Sequence, residues 1–148
     1  MQGKTIKLFS NKMISELGET TDYGYAGGKS VVWKSELMDK YHEKILKILH
    51  QKLDDKILVF HDDIIDLSMR ATSYGFIKRI DWSSEYKTCF RIEYARMFLD
   101  VNGTPCVRLG KDDSTYANPR SGYTVLTKAQ FQKLLDGAVR KAKEQFFK

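Results

Sequence analysis

Apolar residues recur at helical spacing in two stretches of this chain, and strand-like segments fill most of what lies between them. After Ser30, the residues Leu37, Met38, Tyr41, Ile45, Ile48 and Leu49 fall three or four positions apart, with Lys40, Glu43, Lys44 and Lys47 mostly between them. This spacing predicts an amphipathic helix. His42 and His50 sit among its polar positions and read as solvated side chains. Near the other end, Thr127 followed by Gln130 forms a capping box, after which Phe131, Leu134, Leu135, Ala138, Ala142 and Phe146 recur at helical spacing. The polar face of this second helix carries Lys128, Lys133, Arg140, Lys141 and Lys143.

The segments YGFIKRIDW, KTCFRIEYARMFLDV, TPCVRL and GYTVLT are rich in aromatic and β-branched residues and are separated by turn formers, which predicts four strands. Asn102 and Gly103 tolerate the positive φ of a type I′ turn, so the strands flanking them should pair antiparallel. Along the longest segment, alternation puts Phe90, Ile92, Tyr94, Arg96 and Phe98 on one side, and Cys89, Arg91, Glu93, Ala95, Met97 and Leu99 on the other. The loop at 111–122 is long for a hairpin connection and holds Lys111, Tyr116 and Arg120. Earlier in the chain, residues 4–9 read as a short edge strand, and the glycine-bearing stretch at 11–30 as an entry loop. Residues 58–60 suit a short strand or a helix end, with Asp62 or Asp63 then capping a short helix.

These elements predict an α+β protein in which an amino-terminal helical segment precedes a four-stranded antiparallel sheet backed by a carboxy-terminal amphipathic helix. The expected division is a helical region of unassigned role over 1–75 and a basic sheet-plus-helix domain over 76–148. With 148 residues, the chain is long enough to bury a core without disulfides. Cys89 and Cys106 show no CxxC spacing and read as small buried apolar residues in a reducing compartment. No apolar run is long enough to span a bilayer and the first residues are too polar for a secretory signal, so a cytoplasmic protein is expected.

Charge adds a direction. Residues 1–75 hold 11 Lys plus Arg against 11 Asp plus Glu, whereas residues 76–148 hold 14 against 8, so the net +6 falls entirely in the second half. A locally positive surface attracts phosphate backbones and releases their counterions.

Catalytic signatures are missing: the chain has no phosphate-binding Gly-rich loop followed by Lys, no GxSxG and no HExxH. Asp81, Glu85, Lys87 and Glu93 match no metal-nuclease spacing. Asp62, Asp63 and Asp66 would suit a hard cation if they shared one helical face, but acidic residues are also favoured at a helix start by its dipole. No enzyme, metal or cofactor is therefore expected. A sheet that binds single strands needs aromatic faces for bases and cations that follow the backbone, and Phe76, Lys78, Arg79, Trp82, Tyr86, Arg91, Tyr94, Arg96 and Phe98 interleave both kinds on consecutive strands. Phosphate contacts are expected from Lys78, Arg79, Arg91, Arg96, Lys111 and Arg120, and stacking from Trp82, Tyr94 and Phe98.

The stretch NGTPCVRLGKDDSTYANPRSGYTVLTKAQFQKLLDGAVRKA resembles the end of the positive cofactor four family, a transcriptional coactivator and single-stranded-DNA-binding domain. The likeness rests on Asn102 with Gly103, Val107 with Leu109, Pro119 with Arg120, Gly122, Val125 with Leu126, and Gln130 with Phe131, within roughly residues 76–145. The family usually has an Asp-Ile-Arg run where this chain has Arg108, Leu109 and Gly110, and Trp where Phe131 stands. The resemblance implies a curved antiparallel sheet, a homodimer formed through the terminal helix, and a single strand lying across the sheet. The expected function is thus non-catalytic binding of single-stranded nucleic acid, with DNA the expected polymer, in replication, recombination or transcription control. The alternative is a protein-interaction, assembly or inhibitory accessory protein of a virus or mobile element, with residues 1–75 as the surface for a protein partner.

Overall fold

The computed structural model describes residues 3–21, 30–66, 69–99 and 107–147. In chain order the elements are β1 (Lys4–Lys7), α1 (Asn11–Leu17), β2 (Gly18–Thr21), β3 (Ser30–Trp33), α2 (Ser35–Leu53), β4 (Lys56–Asp66), β5 (Met69–Trp82), β6 (Phe90–Leu99), β7 (Val107–Leu109), β8 (Asp113–Tyr116), β9 (Gly122–Thr127) and α3 (Lys128–Phe146). The two long helices are those expected from the apolar periodicity. Met38, Ile45, Leu49 and Leu53 form the buried stripe of α2. At the start of α3 the capping box closes in both directions: the Gln130 N–H donates to Thr127 Oγ1 at 3.1 Å and the Thr127 N–H to Gln130 Oε1 at 2.9 Å. Two donors that the helix start would otherwise orphan are thereby satisfied.

The expected four-stranded sheet is corrected by the strand pairing. A seven-stranded antiparallel sheet runs in the order β1-β9-β4-β5-β6, with β7 and β8 both paired to β6, and β2 with β3 forms a separate hairpin. The additional strands come mainly from the first half of the chain. Residues 62–66, expected to start a short helix, instead continue β4, which pairs with β5 through two register shifts. Between these shifts the Asp63 carboxylate accepts from the Ser73 hydroxyl at 2.6 Å. The expected entry loop holds α1 and β2, while residues 4–7 form the edge strand. Position 75/76 lies inside β5, and strands from both sides of it share the sheet. The Asn102–Gly103 turn and Cys106 lie outside the described residues.

Successive residues of β4 serve opposite faces, as strand alternation requires. Leu58 joins the core under α1 and α2 with Trp33, Ile45, Leu49 and Phe90. Ile57 and Val59 join a smaller core with Tyr74, Leu126 and Phe131 of α3. The sheet is therefore the middle layer of three. A register shift between Ile77 and Arg79 leaves Lys78 out of the ladder, so that Ile77, Ile80 and Trp82 all serve the α2 side.

Candidate nucleic-acid interface

The sheet residues expected to hold a strand are divided between the two faces, and their charges are already matched. On the α3 side, β5 and β6 place Arg79 opposite Glu93 and Asp81 opposite Arg91. Arg79 Nε lies 2.8 Å from Asp81 Oδ2 and its Nη2 3.3 Å from Glu93 Oε2. Arg91 Nη2 is 2.9 Å from the same Glu93 oxygen, while its Nε donates to Ser114 Oγ at 2.9 Å. Lys78 Nζ lies 2.6 Å from Asp112, whose hydrogen bond and charge hold the ammonium pKa above its ordinary value.

Tyr94, Arg96 and Phe98 share the opposite face as the alternation predicts, but this is the face that builds the main core. Tyr94 is 5 % and Phe98 2 % exposed, and Phe60 stacks on Tyr94 with ring centroids 4.9 Å apart. Burial, reinforced by Asp113 and Asp63, pushes the Tyr94 hydroxyl up to about 12. Arg96 Nη1 lies 3.4 Å from Asp63 and 3.8 Å from Asp113, and the guanidinium sits 5.4 Å from the Phe98 ring centre. Gly110 closes over it, since a Cβ there would come within 2.8 Å of Arg96 Nε. Trp82 has one ring face stacked on His42 at 3.9 Å, and its indole N–H donates to the Lys87 carbonyl at 2.9 Å. Of the nine residues expected at the interface, these seven thus belong to ion pairs or packing contacts.

Lys111 and Arg120 are the exceptions, being exposed with no ion-pair partner among the described residues. Lys133, Arg140, Lys141 and Lys143 on α3 share this property. From Lys128 onward the chain carries six cations and two carboxylates, so most of the net +6 belongs to the terminal helix rather than the sheet.

Two tyrosines to which no contact was assigned from the sequence, Tyr86 and Tyr116, stand where a ligand can reach them. In the connection from β5 to β6, Ser83 N–H donates to the Cys89 carbonyl at 3.1 Å and Cys89 N–H to the Tyr86 carbonyl at 2.7 Å. Tyr86 N–H also donates to Ser83 Oγ at 3.0 Å. These bonds close the connection on itself and leave the Tyr86 side chain 63 % exposed. Tyr116, at the end of β8, is the cross-strand neighbour of Arg91 and is 52 % exposed. Both tyrosines line a pocket of about 290 Å³ together with Asp81, Trp82, Cys89 and Arg91. Cys89, expected to be buried, is only partly so. The pocket combines aromatic surface with a guanidinium and a carboxylate, groups that suit the π-face and polar edge of a planar heterocycle. The available sequence signal was a tyrosine in the polar run Ser83-Ser84-Glu85-Tyr86-Lys87, where no strand or helix stripe requires an aromatic side chain.

Among the described residues no group of three or more His, Cys, Asp or Glu is placed to hold a metal ion, and the side chains of Asp62 and Asp66 lie outside that description. No helix among them is long and apolar enough to cross a membrane. No protein-family model matches the chain, and no curated protein or solved structure matches it.

Proposed function

We propose that this protein binds single-stranded nucleic acid without catalysing its turnover, and that bases enter the pocket between Tyr86 and Tyr116. The observation that carries this reading is the pair of half-exposed tyrosines lining one pocket with Arg91. Single-stranded polymers offer unstacked bases to such rings, whereas a duplex hides them. The partnerless cations of α3 and the 111–120 segment supply the non-specific attraction to phosphate. This reading moves the stacking role from Tyr94 and Phe98 to Tyr86 and Tyr116, and the phosphate role from paired to partnerless cations.

A specific observation favours a second reading. Val139 and Phe146 on α3, and Phe147 just past its end, are exposed beside Arg140, Lys141 and Lys143, a combination that suits an acidic, partly apolar protein partner. Anisotropy titration of a labelled single-stranded oligonucleotide at two salt concentrations separates the two readings. Nucleic-acid binding predicts saturable affinity that falls by roughly 0.7 log units per log unit of salt for each phosphate neutralised. Absence of binding at low salt would leave the protein-partner reading.

A further inference from the structure

Arg120 occupies a place of its own, at the turn joining β8 to β9. Ser121 N–H donates to the Asn118 carbonyl at 3.0 Å, and Asn118 N–H returns to Ser121 Oγ at 2.8 Å, so the turn is fixed by its own hydrogen bonds. Ala117 and Pro119 are buried beneath it, and the Trp33 indole N–H donates to the Ala117 carbonyl at 2.8 Å. The backbone bearing Arg120 is thus tied to the core while the side chain faces solvent.

Three concavities converge on this residue. The largest, about 520 Å³, lies between β1, α1 and the start of β9, and contains Lys7, Asn11, Thr5 and Ser121 along with Arg120. Lys7 donates to the Asn11 side-chain carbonyl and, like Arg120, has no ion-pair partner among the described residues. A second concavity of about 280 Å³ adds Ser30 and Asn118. Glu19 lines only the third, toward β2, which leaves the first two without a carboxylate in their walls.

We propose that the crevice between Lys7 and Arg120 binds a phosphate monoester. A guanidinium and an ammonium together offer two positive charges, which match a monoester carrying close to two negative charges at neutral pH. The guanidinium presents several N–H donors in a fixed fork suited to phosphate oxygens, and Thr5, Asn11 and Ser121 make the rest of the crevice polar. A backbone phosphodiester, with one charge and chain leaving on both sides, matches this crevice less well than a terminal group. The monoester is either the phosphorylated end of a strand or a free phosphorylated compound, and only the first source rests on the nucleic-acid reading.

Calorimetric titration of the full chain with inorganic phosphate at low ionic strength tests the site. Saturable binding is expected, weakened at least about tenfold by Arg120→Gln, less by Lys7→Gln, and unchanged by Lys44→Gln at an exposed position of α2. Affinity should also fall below about pH 6, where the ligand takes up its second proton. An intact protein that does not bind phosphate, or an Arg120→Gln protein that binds as well as the parent, would overturn the proposal. Equal losses from Lys44→Gln and Arg120→Gln would also overturn it, by showing diffuse charge attraction. With the site supported, oligonucleotides with and without a 5′-phosphate identify the source: a preference abolished by Arg120→Gln assigns the strand end, and no preference assigns the free compound. Failure of the Tyr86 pocket would leave the phosphate titration intact, so the two proposals fail separately.

Discussion

Replacing Arg96 with Met distinguishes a structural role from a binding role on the β6 face. Methionine keeps an unbranched apolar stem against Phe98 while removing the guanidinium that faces Asp63 and Asp113. Full burial of an abandoned carboxylate costs about 3–5 kcal/mol, whereas an exposed pair contributes at most about 1 kcal/mol. Arg96 and Asp63 are 18 % and 23 % exposed at the side chain, between those limits, while Asp113 is 55 % exposed. The parent also leaves Arg96 Nε buried without a partner, and losing that atom offsets part of the cost. A net loss of about 2 kcal/mol follows, which for a chain of this size lowers Tm by about 4–8 °C. Differential scanning fluorimetry measures the melting change, and oligonucleotide anisotropy at several salt concentrations measures the salt slope. Melting loss with an unchanged slope is expected. An unchanged Tm with a slope flattened by roughly 0.7 would refute the reasoning and return Arg96 to the phosphate contacts.

Two further outcomes follow from the same face. Gly75→Ala would place a Cβ 2.8 Å from Tyr94 Cδ2 and 3.2 Å from Phe60 Cε2, forcing the stacked rings apart, so the urea midpoint should fall by the equivalent of about 1–3 kcal/mol; an unchanged midpoint would show that the ring pair is slack. Tyr94 has a folded-state pKa of about 12, above its ordinary value of 10, so its contribution is complete below pH 10 and disappears as pH rises from 10 toward 12. Comparison of urea midpoints should show a steeper decline for the parent than for Tyr94→Phe across this window, and parallel declines would exclude the linkage.

What the sequence made legible was whatever depends on near neighbours. The stripes of α2 and α3, the Thr127–Gln130 cap, β5, β6, β7 and β9 and the alternation of β6 all follow from spacing within one segment, whereas β8 lies in the stretch read as a loop. The edge strand at 4–7 was legible, but the long β4 was harder to read because its partners are distant: Ile57 pairs with both Phe76 and Leu126. The aspartates at 62 and 63 look like helix caps in isolation, and only the β4–β5 register shows Asp63 accepting from Ser73. Alternation correctly grouped Tyr94, Arg96 and Phe98, but could not say that α2 and the 110 region cover that side. Likewise, the pairing of Arg79 and Arg91 with Glu93 depends on strand register, including the shift at Lys78. The interleaving of cations with aromatics therefore placed the interface on strands whose charge is paired, whereas Lys111, Arg120 and the exposed cations of α3 have no ion-pair partner among the described residues.

Stacking of bases on Tyr86 and Tyr116 is tested most directly by the oligonucleotide affinity of the Tyr86→Ala and Tyr116→Ala proteins. Both side chains are more than half exposed, so neither substitution should disturb folding, and the parent Tm serves as the check. Each substitution is expected to weaken binding by about 1–3 kcal/mol while leaving the slope of log affinity against log salt unchanged, because stacking releases few counterions. Folded variants that bind single strands as tightly as the parent would contradict the account.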